Sequence, residues 1–292
     1  MSTATAKGLP GLERVPPIGL VLSGMTTIQF GAALATTMFD DLGPAGTSAL
    51  RLGFAALVLV ALWRPRVRGR SPAALRIAAL FGLALGAMNL TFYEALGRLP
   101  LGVTVTIEFA GPLGVAVATS RRRLDLAWAA MAALGILLLA NPFGHSVDGV
   151  GLAFALAAAA CWGAYILIAQ RAGRLYNGSD GLALASVVAA LVPLGPGIAQ
   201  AGGDLLQPGL LAMGAGIALL SSVIPYSLET EALRRLPANV FGVLMSLEPA
   251  LAALAGLILI GQSLSVRDLA AIALVVAASV GVSRTALPTP EA

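Results

Sequence analysis

Turn residues and charge clusters cut the chain into ten apolar runs of roughly 17–25 residues, the length a helix needs to cross about 30 Å of hydrocarbon. The runs lie near 17–38, 45–63, 72–97, 101–119, 124–141, 149–171, 180–200, 208–233, 238–260 and 266–284. No water is present inside a bilayer to hydrogen-bond a free sheet edge, so every run is predicted to be helical. The fold class that follows is an all-α membrane protein with ten transmembrane helices. The loops are short and leave no room for a soluble domain. Composition agrees, with 58% hydrophobic and 11% charged residues, where a soluble domain has about a quarter charged.

A net charge of +4 would suit a nucleic-acid partner if it were spread over a surface, but the arginines sit in the short loops and read as topology signals. Alternate loops separate by charge. One side receives Lys7, Arg14, Arg64, Arg66, Arg68, Arg70, Arg76, Arg121, Arg122, Arg123, Arg171, Arg174, Arg234, Arg235 and Arg284. The other receives Arg98 and Arg267 with Asp40, Asp41, Asp148 and Asp204. By the positive-inside rule both termini are expected to be cytoplasmic. The run beginning at Ile18 is followed by further spans and is expected to be a retained helix, not a cleaved signal. A single cysteine, Cys161, excludes a disulfide framework and a multi-cysteine metal site, and is expected to be a small packing residue.

The chain also repeats. Glu94-Ala95-Leu96-Gly97-Arg98-Leu99-Pro100 returns 137 positions later as Glu231-Ala232-Leu233-Arg234-Arg235-Leu236-Pro237, and Pro112 is answered by Pro249 at the same offset. Gly19-Leu20 and Gly31-Ala32 return as Gly151-Leu152 and Gly163-Ala164 at an offset of 132. These echoes divide the protein into a tail at 1–16, one five-helix repeat at 17–145, a second at 146–284, and a tail at 285–292. Five is an odd number, so the second repeat is expected to be inverted in the membrane relative to the first. Inverted repeats are an architecture of secondary transporters.

Polar residues inside the spans are the candidates for function. Glu108, in LGVTVTIEFAGPLGVAVAT at 101–119, lies mid-span and is followed by the helix-loosening pair Gly111-Pro112. A mid-membrane charge costs roughly 2.5–3.5 kcal/mol on insertion scales, which turns such residues to the bundle interior. Arg51 lies at a matching depth, about 9 Å against about 10 Å at 1.5 Å per residue. The two read either as an ion pair joining their helices or as a carboxylate-binding guanidinium beside a titratable acid. Thr26, Gln29 and Thr36 share a face of the first run; the threonines are expected in interhelical hydrogen bonds, whereas Gln29 reads equally as pathway lining. Gly82 and Gly86 form a close-packing seam that continues through Asn89 and Tyr93, two candidates to face substrate. Glu94 with Arg98, and Glu231 with Arg235, read as i,i+4 pairs at helix ends.

Trp162 and Tyr165 form an i,i+3 aromatic pair, a pattern more often packing than binding. Ser222, Pro225, Tyr226 and Glu229 share one face of the eighth run, where Pro225 frees a backbone carbonyl that is tolerated only inside protein or beside a cavity. Glu248, directly before Pro249 and about 15 Å into its run, reads as a site acid or as a hydrogen-bond hub. The only histidine, His145, is assigned no role. Enzyme signatures are missing: no DDxxD cluster, no HExxH or paired-histidine site, and no glycine-rich phosphate loop ending in Lys-Ser/Thr. No enzyme activity, cofactor or metal is expected.

Taken together, TIQFGAAL, SALRLG, GAMNLTFYEAL, VTIEFAGPL, AACWGAYILIAQRAG, IPYSLETEALRRLP and FGVLMSLEPALAALAG resemble the threonine/homoserine exporter branch of the drug/metabolite transporter superfamily, whose members carry paired EamA domains. The resemblance spans nearly the whole chain. It implies a ten-helix exporter of small amino acids in the bacterial inner membrane, driven by proton exchange, whose partners are the amino acid, protons and the lipid bilayer. Position by position it directs attention to Gln29, Arg51, Asn89, Tyr93, Glu108, Trp162, Tyr165 and Tyr226 as substrate-binding residues, and to Glu108, Glu229 and Glu248 as proton carriers. Glu94 and Glu231 depart from its pattern, where uncharged residues are expected. A coupling scheme follows: a substrate carboxylate on Arg51 takes a partner from Glu108, which then accepts a proton and releases it when the pair re-forms.

Overall fold

The chain winds through a bundle in which every secondary element among the described residues is helical. The structure is a computed structural model and describes residues 15–119, 123–140, 148–176, 180–225, 228, 232, 244–245 and 247–285. In chain order the helices are α1 (Pro17–Thr36), α2 (Phe39–Trp63), α3 (Pro72–Leu96), α4 (Leu101–Glu108), α5 (Ala110–Thr119), α6 (Arg123–Ala140), α7 (Gly149–Leu175), α8 (Asp180–Leu191), α9 (Leu194–Ala201), α10 (Pro208–Ala218), α11 (Glu248–Ile260) and α12 (Val266–Thr285). A 3-10 turn at Gly202–Leu206 precedes α10, and a π turn at Leu219–Val223 continues it. Among the described residues five helical stretches are long and apolar enough to cross a membrane: α1, α2, α3, α7 and the α8–α9 stretch Asp180–Leu206.

Two of the expected spans are each a broken pair of helices. The fourth run divides at Phe109, between α4 and α5. Pro112 has no N–H to give the carbonyl of Glu108, so the ladder fails one turn before the proline. The seventh run divides between α8 and α9, where Pro193 removes a donor in the same way. Helix starts follow local chemistry. Pro17 opens α1 and Pro72 opens α3, where a missing N–H costs nothing. Ser71 Oγ additionally accepts from the amide of Ala74 at 3.2 Å.

α3 packs along α7 and α8, α2 along α8 and α9, and α6 along α12. α1 and α4 both pack on α11, α4 and α5 on α7, and α10 on α2, while the π turn meets α1. Gly82 and Gly86 form the predicted seam: a Cβ on either would collide with the carbonyl of Ala185 or Ala189 in α8. The bundle's outer face is apolar, with Leu57, Leu62, Leu126, Leu191 and Ile258 between 61% and 67% exposed. Such a face is unusual in water and ordinary in hydrocarbon.

Ion pairs tie the connections at the two ends of α3. At the arginine-rich end Arg70 pairs with Asp180 at 2.5 Å and lies over the Tyr176 ring at 4.8 Å, tying the α2–α3 connection to the start of α8. At the opposite end Arg98 reaches Asp148 at 3.3 Å. Arg98 is therefore not paired with Glu94, as the i,i+4 spacing suggests; Glu94 Oε1 instead accepts from Gln200 Nε2 at 2.9 Å. The threonines of α1 also differ from expectation. Thr26 and Thr36 hydrogen-bond back to the carbonyls of Leu22 and Ala33 in their own helix, the local bond a threonine can always make without a neighbour. The Glu231–Arg235 pair, His145, the arginines at 121, 122, 234 and 235, and residues 1–14 and 286–292 of the tails lie outside the described residues.

Candidate functional site

Helices from both halves of the chain enclose a cavity of about 310 Å³. Its polar wall is formed by Gln29 of α1, Arg51 of α2, Asn89 of α3, Glu108 of α4, Ser221 of the π turn and Glu248 of α11. Phe92, Trp162 and Tyr165 give it an aromatic side. Seven of the residues predicted from sequence thus face one space. Tyr93 does not line it. The tyrosine is fully buried behind Arg51, its hydroxyl 3.4 Å from Nη1 and its ring centroid 5.5 Å from the guanidinium carbon. Tyr226 and Glu229 lie outside the described residues.

Arg51 is held on three sides. Nη1 donates to Asn89 Oδ1 at 2.7 Å, and Asn89 is itself oriented by a bond from Nδ2 to the carbonyl of Leu85 at 2.8 Å. Nη2 donates to the carbonyl of Ser221 at 3.1 Å. Nε has no hydrogen-bond partner. Among the described residues no carboxylate lies within ion-pair distance of the guanidinium, so the reading of Arg51 and Glu108 as a closed ion pair does not describe this conformation. Glu108 nevertheless lies within electrostatic range of both Arg51 and Glu248.

Glu108 is the last residue of α4, at the break that Pro112 creates, and is 8% exposed. Glu248 is the first residue of α11, where the unpaired N–H groups of a helix start favour a carboxylate. Glu248 Oε1 accepts from Gln29 Nε2 at 3.0 Å, and both residues are buried. Two acids therefore stand at helix ends inside the bundle, on one wall with one guanidinium. Trp162 meets Phe109 edge to face at 5.1 Å between centroids, and Tyr165 tilts on Phe81 at 5.1 Å, so each ring packs outward while bordering the cavity.

Sequence periodicity placed Ser222 on the functional face, whereas the wall takes Ser221. The π turn at Leu219–Val223 inserts an extra residue per turn and rotates the face by about one position. The signal for Ser221 was nonetheless present, since Pro225 follows it by four and leaves the Ser221 carbonyl without its helical donor. The apolar lining residues Ile28, Met88, Val105 and Met245 carried no signal that set them apart from packing.

Residues 149–284 match the model of the EamA-like transporter family. The chain is 42% identical to the threonine/homoserine exporter RhtA of Salmonella typhimurium strain LT2 over 291 residues, covering 97% of this chain and 98% of the relative. It is 43% identical to the threonine/homoserine exporter RhtA of Escherichia coli K12 over 285 residues, 95% of this chain and 96% of the relative. A crystal structure 21% identical in sequence superposes with a TM-score of 0.60 over 91% of this chain and 97% of its own, a likeness of fold alone.

Proposed function

The chain belongs to the EamA-like transporter family, in its threonine/homoserine exporter branch, and from that membership we propose that it exports small amino acids such as threonine and homoserine across the bacterial inner membrane. The proposed mode is secondary transport by proton antiport with alternating access. The observation that carries this reading is the cavity, where one guanidinium and two carboxyls face a space of about 310 Å³, within the range of small-molecule sites.

A zwitterion needs a cation and an anion a few ångströms apart. Arg51 is fixed by Asn89 and Ser221 and has no carboxylate partner among the described residues, which leaves its charge for the carboxylate of a substrate. Glu108 takes the ammonium. It does so ionised, so a proton on Glu108 competes with substrate and couples the cycle to the proton gradient, with Glu248 and Glu229 as rival proton carriers.

Alternating access draws support from the packing. Exchanging each helix of the first half for its counterpart in the second turns the α3–α7 contact into that of α10 and its π turn with α1, and the α3–α8 contact into that of α10 with α2. The α2–α8, α4–α11 and α6–α12 contacts map onto themselves. This is the pattern expected of two related five-helix units around a shared site, and five helices per unit make them inverted with both termini cytoplasmic.

The test is transport by purified protein in liposomes. A pH gradient is expected to drive threonine uphill, whereas equilibration without accumulation would identify a facilitator. Glu108→Gln is expected to abolish the uphill phase with the protein still inserted. The coupling acid is then read from the pH dependence of threonine affinity in Glu108→Gln, Glu229→Gln and Glu248→Gln. The variant that loses that dependence identifies the proton carrier, and retention in Glu108→Gln would reduce Glu108 to a substrate contact.

A further inference from the structure

On the amino-acid reading above, Arg51 and Glu108 account for the two charged groups of the substrate, and two polar residues of the wall remain unassigned. Gln29 is 2% exposed, and its amide is oriented by the bond from Nε2 to Glu248, because a carboxylate oxygen accepts and does not donate. That orientation leaves Oε1 as an acceptor with no hydrogen-bond partner among the described residues. Ser221 is 4% exposed, and its Oγ is likewise unpartnered. Both residues line the same cavity, Gln29 from α1 and Ser221 from the π turn that packs on α1. Buried polar groups almost always have a partner, so two orphans on one cavity wall call for one.

We propose that Gln29 and Ser221 form a subsite for the side-chain hydroxyl of the substrate, and that the protein thereby selects hydroxylated amino acids over apolar ones of the same shape. A hydroxyl donates one hydrogen bond and accepts others. Gln29 Oε1 offers the acceptor, and the Ser221 hydroxyl offers the donor. An ammonium group only donates; it would leave the Ser221 proton unused, and it is better met by the charge of Glu108. An apolar side chain in this place leaves both buried groups unpaired, the condition under which a site built for a hydroxyl rejects the isostere that lacks it.

The experiment is counterflow into liposomes containing purified wild type, Gln29→Met or Ser221→Ala, with threonine and its hydroxyl-free isostere valine as competing solutes. Wild type is expected to prefer threonine by roughly tenfold or more. Both variants are expected to bring the two solutes within about threefold of each other, with valine exchange retained as the internal sign of a folded protein. Ser221→Ala leaves the Gln29–Glu248 bond untouched and decides the matter if Gln29→Met does not fold. Equal exchange of threonine and valine by wild type, or an equal loss of both in Ser221→Ala, overturns the subsite while leaving the amino-acid reading in place. Exchange of neither by wild type overturns that reading itself.

Discussion

Arg51 Nη2 donates to the backbone carbonyl of Ser221 at 3.1 Å, and that oxygen is the one Pro225 deprives of its helical donor. In an unbroken helix the amide of residue 225 would bond to it. Proline has no N–H, the turn widens into a π turn at Leu219–Val223, and the carbonyl is free to face α2. A helix defect in the second half of the chain thus anchors the central cation of the first.

Restoring the missing donor tests this link. In Pro225→Ala the new amide competes with Arg51 for the Ser221 carbonyl, so the guanidinium loses one of its fixed positions. The protein is expected to insert with undiminished thermal stability, because a backbone hydrogen bond is gained. Threonine affinity in detergent is expected to fall about tenfold, the scale of one hydrogen bond to a charged group. Unchanged affinity would show that the carbonyl does not position Arg51.

Asn89→Asp converts the 2.7 Å bond to Arg51 into an ion pair inside the bundle. The new carboxylate occupies the charge that a substrate carboxylate would use. Threonine binding is expected to weaken by more than tenfold, while the melting temperature holds or rises because the buried guanidinium gains a counter-charge. A variant that binds normally would place the substrate carboxylate elsewhere.

The seam between α3 and α8 has no space to spare. In Gly86→Leu the side chain must push aside the carbonyl of Ala189 and the Val192 side chain, which lie 2.7 Å from a Cβ at that position. Overpacking of this kind destabilises by about 1–3 kcal/mol, and thermal unfolding in detergent should show it. Gly53→Ala, inside α2 where a Cβ meets nothing within 4 Å, is the control and should hold or raise the melting temperature.

Asp148 caps α7, accepting from the amides of Val150 at 2.9 Å and Gly151 at 3.2 Å. The backbone hydrogen bond from Gly151, then that from Val150 and the Arg98 guanidinium, hold its carboxyl below the ordinary aspartate value of 3.8. A carboxyl depressed in the folded state stabilises above its unfolded value and loses that contribution as pH falls through the folded one. Thermal stability should therefore drop on acidification below 3.8, and Asp148→Asn should flatten that part of the profile. An identical acid profile in the variant would show that the cap contributes nothing measurable.

Much of the site was legible because polar residues in a membrane are rare enough to be individually conspicuous. Gln29, Arg51, Asn89, Glu108 and Glu248 each break an apolar run, and each lines the cavity. Their partners were not legible. Matched depth paired Arg51 with Glu108, yet Arg51 bonds Asn89, Tyr93 and Ser221, and Glu248 bonds Gln29. Depth fixes a position along the membrane normal and leaves the angle around each helix axis free. Likewise, i,i+4 spacing made a pair of Glu94 and Arg98, whereas the ends of α9 and α7 offered them Gln200 and Asp148.

The sequence by itself determined that the chain is helical and lies in a membrane, since ten continuous apolar runs of roughly 17–25 residues are too long and too uniform for barrel strands and satisfy their backbones in hydrocarbon as helices. It also marked where the fourth of those runs breaks, at Gly111-Pro112, because proline lacks a donor wherever it stands. Only the tertiary structure decided which polar groups meet. Contacts such as Gln29 with Glu248, 219 positions apart, depend on how α1 and α11 are rotated against each other. That rotation is settled by close packing of small residues across the whole bundle, a sum of many weak contacts that no local pattern of residues records.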